Sequence, residues 1–181
     1  MGFFDQKNLA VMLSAEQVAA RVAALGEQIT REYSGKLGAE ELVCIGILKG
    51  SFVFLADLVR KIDLPVVVDF IALSSYGDAT ESSGVVQLTQ DLSRPIAGKH
   101  VLIVEDIVDT GLTMKYLLEN LHTRHPASIA LASLLEKPTK NTAGVKVDYL
   151  GFSIEDKFVV GYGLDAASRF RNLPYIAVVT S

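Results

Sequence analysis

The sequence predicts an α/β fold: a mainly parallel, twisted sheet flanked by helices. Two observations carry this. Short β-rich apolar runs alternate with amphipathic helical segments through the first two thirds of the chain, the pattern of strand–helix–strand units. The run Val101–Val104 (VLIV) is apolar throughout, as in a strand buried on both faces of a parallel sheet.

The elements follow in order. Ser14–Tyr33 reads as a helix, with Ser14 and Gln17 fitting a capping box and Val18, Val22, Leu25 and Ile29 at helical spacing. Leu42–Leu48 (LVCIGIL) is a strand, and Lys49-Gly50-Ser51 a turn. Phe52–Ile62 is a helix with Phe52, Leu55 and Val59 on one stripe. Val66–Leu73 is a strand after Pro65. Ser74–Gly84 is small, polar and glycine-bearing; a loop of this length in a compact domain is usually functional or disordered. Val85–Gln90 and Val101–Val104 are strands, Glu105–Thr113 a loop, Met114–His122 a helix and Ile129–Leu135 a strand. Tyr149–Phe152, Phe158–Tyr162 and Tyr175–Thr180 are strand-like. This final third is expected to form an extra flap or hairpin packed on the sheet.

Composition narrows the function. A chain of 181 residues suits one domain. Half the residues are hydrophobic, enough for a core and against general disorder. With 17 basic and 21 acidic side chains, the net charge of -4 disfavours non-specific attraction to nucleic acid. The single cysteine, Cys44, excludes an internal disulfide or a Cys-rich zinc site and reads as a small buried hydrophobe. The start lacks a basic region followed by a continuous apolar stretch, so no signal peptide is read there. Gln6 stands where a myristoylation motif wants Ser or Thr. No apolar run is long enough for a membrane-spanning helix, and the expected location is the cytoplasm.

Chemistry concentrates in Val101–Thr113, VLIVEDIVDTGLT. Four apolar residues lead into Glu105 and Asp106, then Asp109, then Thr110-Gly111-Leu112-Thr113 and a helix. In open α/β sheets ligands bind at the carboxyl ends of strands. A small-residue loop entering a helix there presents free backbone N–H groups and a favourable dipole to an anion. Carboxylates beside an anion site need another task, such as sugar hydroxyls or a metal. A phosphorylated sugar meets both demands. The plainer alternative is a polar loop in which Asp109 and Thr110 cap the helix. Neither GxxxxGK[ST] nor GxGxxG is present in this segment.

The thirteen residues resemble the phosphoribosyl pyrophosphate (PRPP) loop of type I phosphoribosyltransferases. Ile47–Phe52 (ILKGSF), Ser74–Gly77 (SSYG), Leu134–Pro138 (LLEKP) and Asp156–Asp165 (DKFVVGYGLD) extend the resemblance over nearly the whole chain. They make it similar to the hypoxanthine and hypoxanthine-guanine branch. The resemblance implies transfer of a phosphoribosyl group from PRPP to a 6-oxopurine, with Mg2+ as cofactor. It implies one domain over 1–181, with a core of about 38–150 and a smaller hood from the N-terminal segment and the C-terminal strands. A homodimer or homotetramer is expected, with neither nucleic acid nor membrane as partner.

Residue roles are carried over in the same way. Glu105 and Asp106 match the acids that hold the ribose hydroxyls, directly or through a metal's shell. Asp109, with Thr110, Gly111, Leu112 and Thr113, matches the phosphate loop, and Asp109 also matches the acid facing purine N7. It is the expected general base or stabiliser of the protonated purine. Leu112 departs from relatives with Lys or Asn there, leaving backbone amides to act. Lys49 and Gly50 match the pyrophosphate turn, whose Leu48–Lys49 bond is expected to be cis. Arg171 matches the pyrophosphate arginine, with Arg169 competing for that place. Lys137 matches the donor to the purine's exocyclic oxygen, which would disfavour adenine. Phe158 and Val159 match the segment that covers the base and reads its edge; a plain core role for Phe158 is the alternative. Asp165, at the end of the purine-binding segment, matches a second metal-binding aspartate. Ser75 and Tyr76 match a mobile lid that excludes water. Asp156, Lys157 and Asn141 receive no role. Two other readings compete: transfer to adenine, orotate or uracil, and a PRPP-sensing regulator without catalysis. The segment KFVVGYGLD and Lys137 weigh against the first, and the retained Asp109, Lys137 and Asp165 against the second.

Overall fold

The computed structural model describes residues 8–76 and 85–180. Its elements are β1 (Leu9–Leu13), α1 (Ala15–Tyr33), β2 (Leu42–Leu48), α2 (Phe52–Val59), β3 (Val66–Tyr76) and β4 (Val85–Gln90), followed by β5 (His100–Val108), α3 (Leu112–His122), β6 (Ser128–Glu136), β7 (Tyr149–Ser153), β8 (Val159–Val160) and β9 (Ile176–Val179). Six strands form the main sheet in the order β4-β3-β2-β5-β6-β7. All neighbours are parallel except the edge pair β3–β4. The fold is thus mixed α/β with a mostly parallel sheet.

The helix start is local chemistry. Gln17 N donates to Ser14 Oγ at 3.3 Å and Ser14 N to Gln17 Oε1 at 2.8 Å, closing the capping box. Val18, Val22, Leu25 and Ile29 then turn one buried stripe of α1 toward the sheet. Strand β5 shows why its sequence is continuously apolar. Leu102 and Val104 pack into the cluster formed with α1 and α2, through Val22, Leu25, Phe54 and Leu58. Val101 and Ile103 point the other way, against Met114, Leu117 and Leu121 of α3. Alternating side chains meet apolar partners on both faces, so no position can be polar without a buried partner.

Several boundaries differ from the sequence reading. The segment after Val104 is not yet loop. Strand β5 continues to Val108 because β6 keeps pairing with it, Glu105 opposite Ser133 and Ile107 opposite Leu135. The helix beyond it begins at Leu112 rather than Met114. Helix α2 stops at Val59, short of Ile62, although Ile62 is buried. In the final third β8 and β9 pair antiparallel, and their Val159 and Ile176 share one buried cluster with Leu42, Cys44, Leu102 and Val104 of the main sheet. β7 joins that sheet's edge, while β8 and β9 combine with β1 in a separate antiparallel sheet of order β1-β9-β8. The run Phe158–Tyr162 contributes only Val159–Val160 to a strand, since Gly161, Tyr162 and Gly163 all turn at positive φ. Ser75 and Tyr76 end β3, but their side chains, and residues 77–84, lie outside the described residues. Among the described residues no helix is long and apolar enough to cross a membrane.

Cys44 sits on β2 with no solvent exposure, and burial pushes its thiol up to about 12. A disulfide dye reagent at pH 8 is therefore expected to leave the native thiol intact and to titrate it fully in denaturant. Rapid labelling of the native protein would show that this face of the sheet opens.

Candidate active site

The site begins where β5 runs past its last pairing with β2, at Val104, while still paired to β6. Glu105 is 8% exposed and its Oε1 accepts the Asp106 amide at 2.9 Å. Burial first, and then the adjoining Asp106 carboxyl, hold Glu105 well above the usual carboxylate range. Asp106 Oδ1 accepts the Ile107 amide at 2.9 Å. Three residues on, Gly111 enters α3 at φ 78° and ψ -7°, with no side-chain cap. A left-handed φ of this size suits glycine alone at little cost. The Thr110 hydroxyl reaches only the Leu112 amide, at 3.4 Å. Asp109 is committed elsewhere, so the helix-capping alternative for it does not hold. The Thr113 and Met114 amides lie in a first turn that lacks intrahelical partners. Both residues line a cleft with Glu105, Asp109, Thr110 and Gly111.

The segment after β6 backs this loop. The Lys137 amide donates to Val108 O at 3.0 Å, which seats Lys137 beside Asp109. The Ala143 amide donates to Thr110 O at 3.1 Å. Asn141 braces the bend: its Nδ2 donates to Glu136 Oε1 at 3.0 Å and Val145 O at 2.8 Å, and its Oδ1 accepts the Val145 amide at 3.1 Å. A methyl group on Gly111 would stand 2.6 Å from that Oδ1. Asn141, to which the sequence assigned nothing, is therefore a buttress of the loop that enters α3.

Lys137 is only 7% exposed. Its Nζ lies 3.0 Å from Asp109 Oδ2 and 3.2 Å from Asp156 Oδ1. Burial opposes the ammonium, but bonds to Asp109 and Asp156 outweigh it and raise its pKa above the ordinary lysine value. Asp156 Oδ2 is shared with Lys140 at 3.1 Å. Two residues further, Phe158 is 59% exposed, which removes the core reading of that ring. Its carbonyl accepts the Val179 amide at 3.1 Å, and Val159 follows, buried in β8.

A third group meets the end of β5 from the side. The Leu48–Lys49 peptide bond is cis, as expected, and Lys49 is exposed. Gly50 lies so close to Asp106 that any Cβ there would overlap the carboxylate. A Cβ on Gly163 would in turn overlap Gly50 O. Arg171 Nη1 donates to Gly163 O at 2.7 Å, and its Nη2 lies 2.5 Å from Asp165 Oδ1. Asp165 Oδ2 accepts the Ser168 amide at 2.7 Å. Asp106, Gly50, Gly163, Arg171 and Asp165 thus form one continuous contact chain. Arg171 is tied into it through both Gly163 and Asp165.

A mostly parallel sheet with paired acids near the carboxyl end of its central strand, and an uncapped helix start just beyond, has the arrangement in which α/β folds bind phosphorylated ligands. Residues 12–167 match the phosphoribosyl transferase domain, and the chain belongs to the phosphoribosyltransferase family. It is 49% identical over 169 residues to the hypoxanthine phosphoribosyltransferase of Haemophilus influenzae, covering 93% of this chain and 94% of that protein. It is also 49% identical over 171 residues to the hypoxanthine-guanine phosphoribosyltransferase of Mycobacterium avium, covering 93% and 84%. A crystal structure of a hypoxanthine phosphoribosyltransferase from Staphylococcus aureus superposes with a TM-score of 0.90 at 44% identity, covering 96% of this chain and 93% of that one.

The contact between Gly50 and Asp106 has a measurable consequence. Gly50→Ala is expected to destabilise the protein by about 1–3 kcal/mol in urea unfolding, the usual cost of overpacking. Gly35→Ala, where a Cβ meets nothing within 4 Å, is expected to be neutral or slightly stabilising. Equal stabilities would contradict the close approach.

Proposed function

We propose that this chain transfers the 5-phosphoribosyl group of PRPP to hypoxanthine, and also to guanine, forming IMP or GMP and pyrophosphate in purine salvage. The observation that carries the reading is the ion pair between the buried Lys137 and the half-buried Asp109, beside the uncapped start of α3. It sets a donor for a 6-oxo group next to an acceptor for a purine proton, at the edge of an anion site. The backbone amides from Thr110 through Thr113 take the 5′-phosphate, with the Thr110 and Thr113 hydroxyls beside them. Glu105 and Asp106 hold the ribose hydroxyls. Lys49, Gly50 and Arg171 receive the pyrophosphate.

As the C1–pyrophosphate bond breaks, its electron pair leaves on the pyrophosphate oxygen. Purine N9 then bonds to C1, and Asp109 accepts the proton that N7 gives up. Lys137 donates to the exocyclic oxygen; adenine would instead present a second donor to it. Phe158 covers the ring, and the Val159 backbone reads its edge. Ser75 and Tyr76 belong to the lid that keeps water from the ribosyl cation. The sheet β1-β9-β8 serves as the hood over the base.

Mg2+ fits the donor set as an ion carried on the pyrophosphate. The available ligands are hard carboxylate oxygens from Glu105, Asp106 and Asp165. No group of three or more His, Cys, Asp or Glu residues able to cage a metal occurs among the described residues. Magnesium with few protein ligands and several waters is the usual arrangement, and when bound it offsets the charge that gathers on the leaving group. A cytoplasmic location and a homodimer or homotetramer go with this reading.

Purified protein with PRPP and Mg2+ is expected to turn over hypoxanthine and guanine but not adenine. Asp109→Asn should lower kcat by about 10²-fold or more, the scale of a lost general base. PRPP binding without turnover of any base would overturn the enzyme reading in favour of a regulator.

A further inference from the structure

We propose that Asp156 is a positioning residue for recognition of the 6-oxo group, holding the Lys137 ammonium charged and aimed while Asp109 serves the purine. The inference rests on the function proposed above and adds a residue to it. Lys137 is buried and shared between Asp109 and Asp156 at 3.0 and 3.2 Å. In the reaction Asp109 accepts a proton, which cancels its charge. A buried ammonium that loses its counter-ion is strongly disfavoured. Asp156 is the second carboxylate in contact with it, and it has no task at N7.

The geometry holds Asp156 in place for this. Its other oxygen is taken by Lys140 at 3.1 Å, and the Lys140 amide donates to Lys137 O at 2.9 Å. The two lysines, the aspartate and the turn backbone close a ring. Lys140 first, then Lys137, hold the Asp156 carboxyl below the ordinary aspartate value. Among the described residues, the charged groups around Lys137 are Asp109 from the β5–α3 loop, Asp156 from the β7–β8 segment and Lys140 on its own turn. The neighbouring Glu136 is engaged by Asn141. Asp156 also stands two residues before the exposed Phe158, so the same ion pair ties down the segment that offers the ring. An exposed ion pair alone would contribute little. Here one end of the pair is nearly out of water, which makes its loss felt at the site.

The test compares wild type with Asp156→Asn and Asp156→Glu, varying hypoxanthine and PRPP separately. Asp156→Asn should raise the KM for hypoxanthine by about three- to tenfold: Lys137 is buried, but Asp156 itself is 46% exposed, so solvent screens part of the pair. The KM for PRPP should stay within about twofold, since no PRPP contact is assigned to this residue. With one carboxylate gone Lys137 loses its proton more readily, so the alkaline limb of kcat/KM should move to lower pH. Asp156→Glu should restore most of both. Equal rises in the two KM values, or an unmoved KM and alkaline limb, would overturn the inference. A titration of the Lys137 Nζ resonance in 15N-lysine protein needs no turnover, and Asp156→Asn should lower its midpoint. A lowered midpoint in a protein whose wild type turns over no purine would sink the salvage reading and leave the counter-ion role. Turnover with an unshifted midpoint would sink the Asp156 inference alone.

Discussion

Burial of strand β5 on both faces is the constraint on which the rest of this structure depends. Val101 and Ile103 face α3, while Leu102 and Val104 face α1 and α2. A strand enclosed this way admits polar side chains only as it leaves the layer of helices. Glu105 and Asp106 stand at that exit, still paired through Glu105 to Ser133 of β6, so their backbone is as rigid as the sheet. Acids placed on a loop would have a range of positions. Acids inside a central strand that is still paired to its neighbour are held in place, and the other groups near the site are set against them.

Electrostatics then organises the next layer. Three carboxylates within five residues repel one another unless each finds a partner. Glu105 is driven toward its neutral form by burial and by Asp106. Asp109 takes the Lys137 ammonium, which a backbone bond from the Lys137 amide to Val108 O delivers to it. Lys137 also touches a second carboxylate, Asp156, and the two bonds together outweigh the effect of burial on its ammonium. The same logic leaves the α3 amides without a competing side-chain cap, because the acid nearest in sequence is already bound. Free backbone amides and a lysine-paired carboxylate thus stand a few residues apart.

Close backbone approach joins the remaining parts. Gly50 admits the Asp106 carboxylate against its Cα, and Gly163 admits the Gly50 carbonyl. Neither position tolerates a side chain without displacement. Through these two glycines the β2–α2 turn, the end of β5 and the Arg171–Asp165 pair share one rigid stack. Residues from three distant stretches of chain are held in register by contacts too short for anything but glycine.

What the sequence by itself determined was whatever depends on near neighbours. The Ser14 capping box, the stripe of α1, the β2 run Leu42–Leu48 and the doubly buried Val101–Val104 are local patterns, and local sterics and hydrophobicity suffice to read them. The motif VLIVEDIVDTGLT likewise displayed the acids and the helix entry in one stretch. Tertiary structure decided the rest. β1 acquires its role only by pairing with β9 at the far end of the chain, and Glu105–Val108 are strand only because β6 continues beside them. Phe158 has the composition of a core residue, yet its ring is exposed; Asp156 looks like a surface acid, yet it reaches a buried lysine. Such assignments depend on which surfaces are already covered and which charges are already paired. Those are properties of the assembled chain, and no window of sequence contains them.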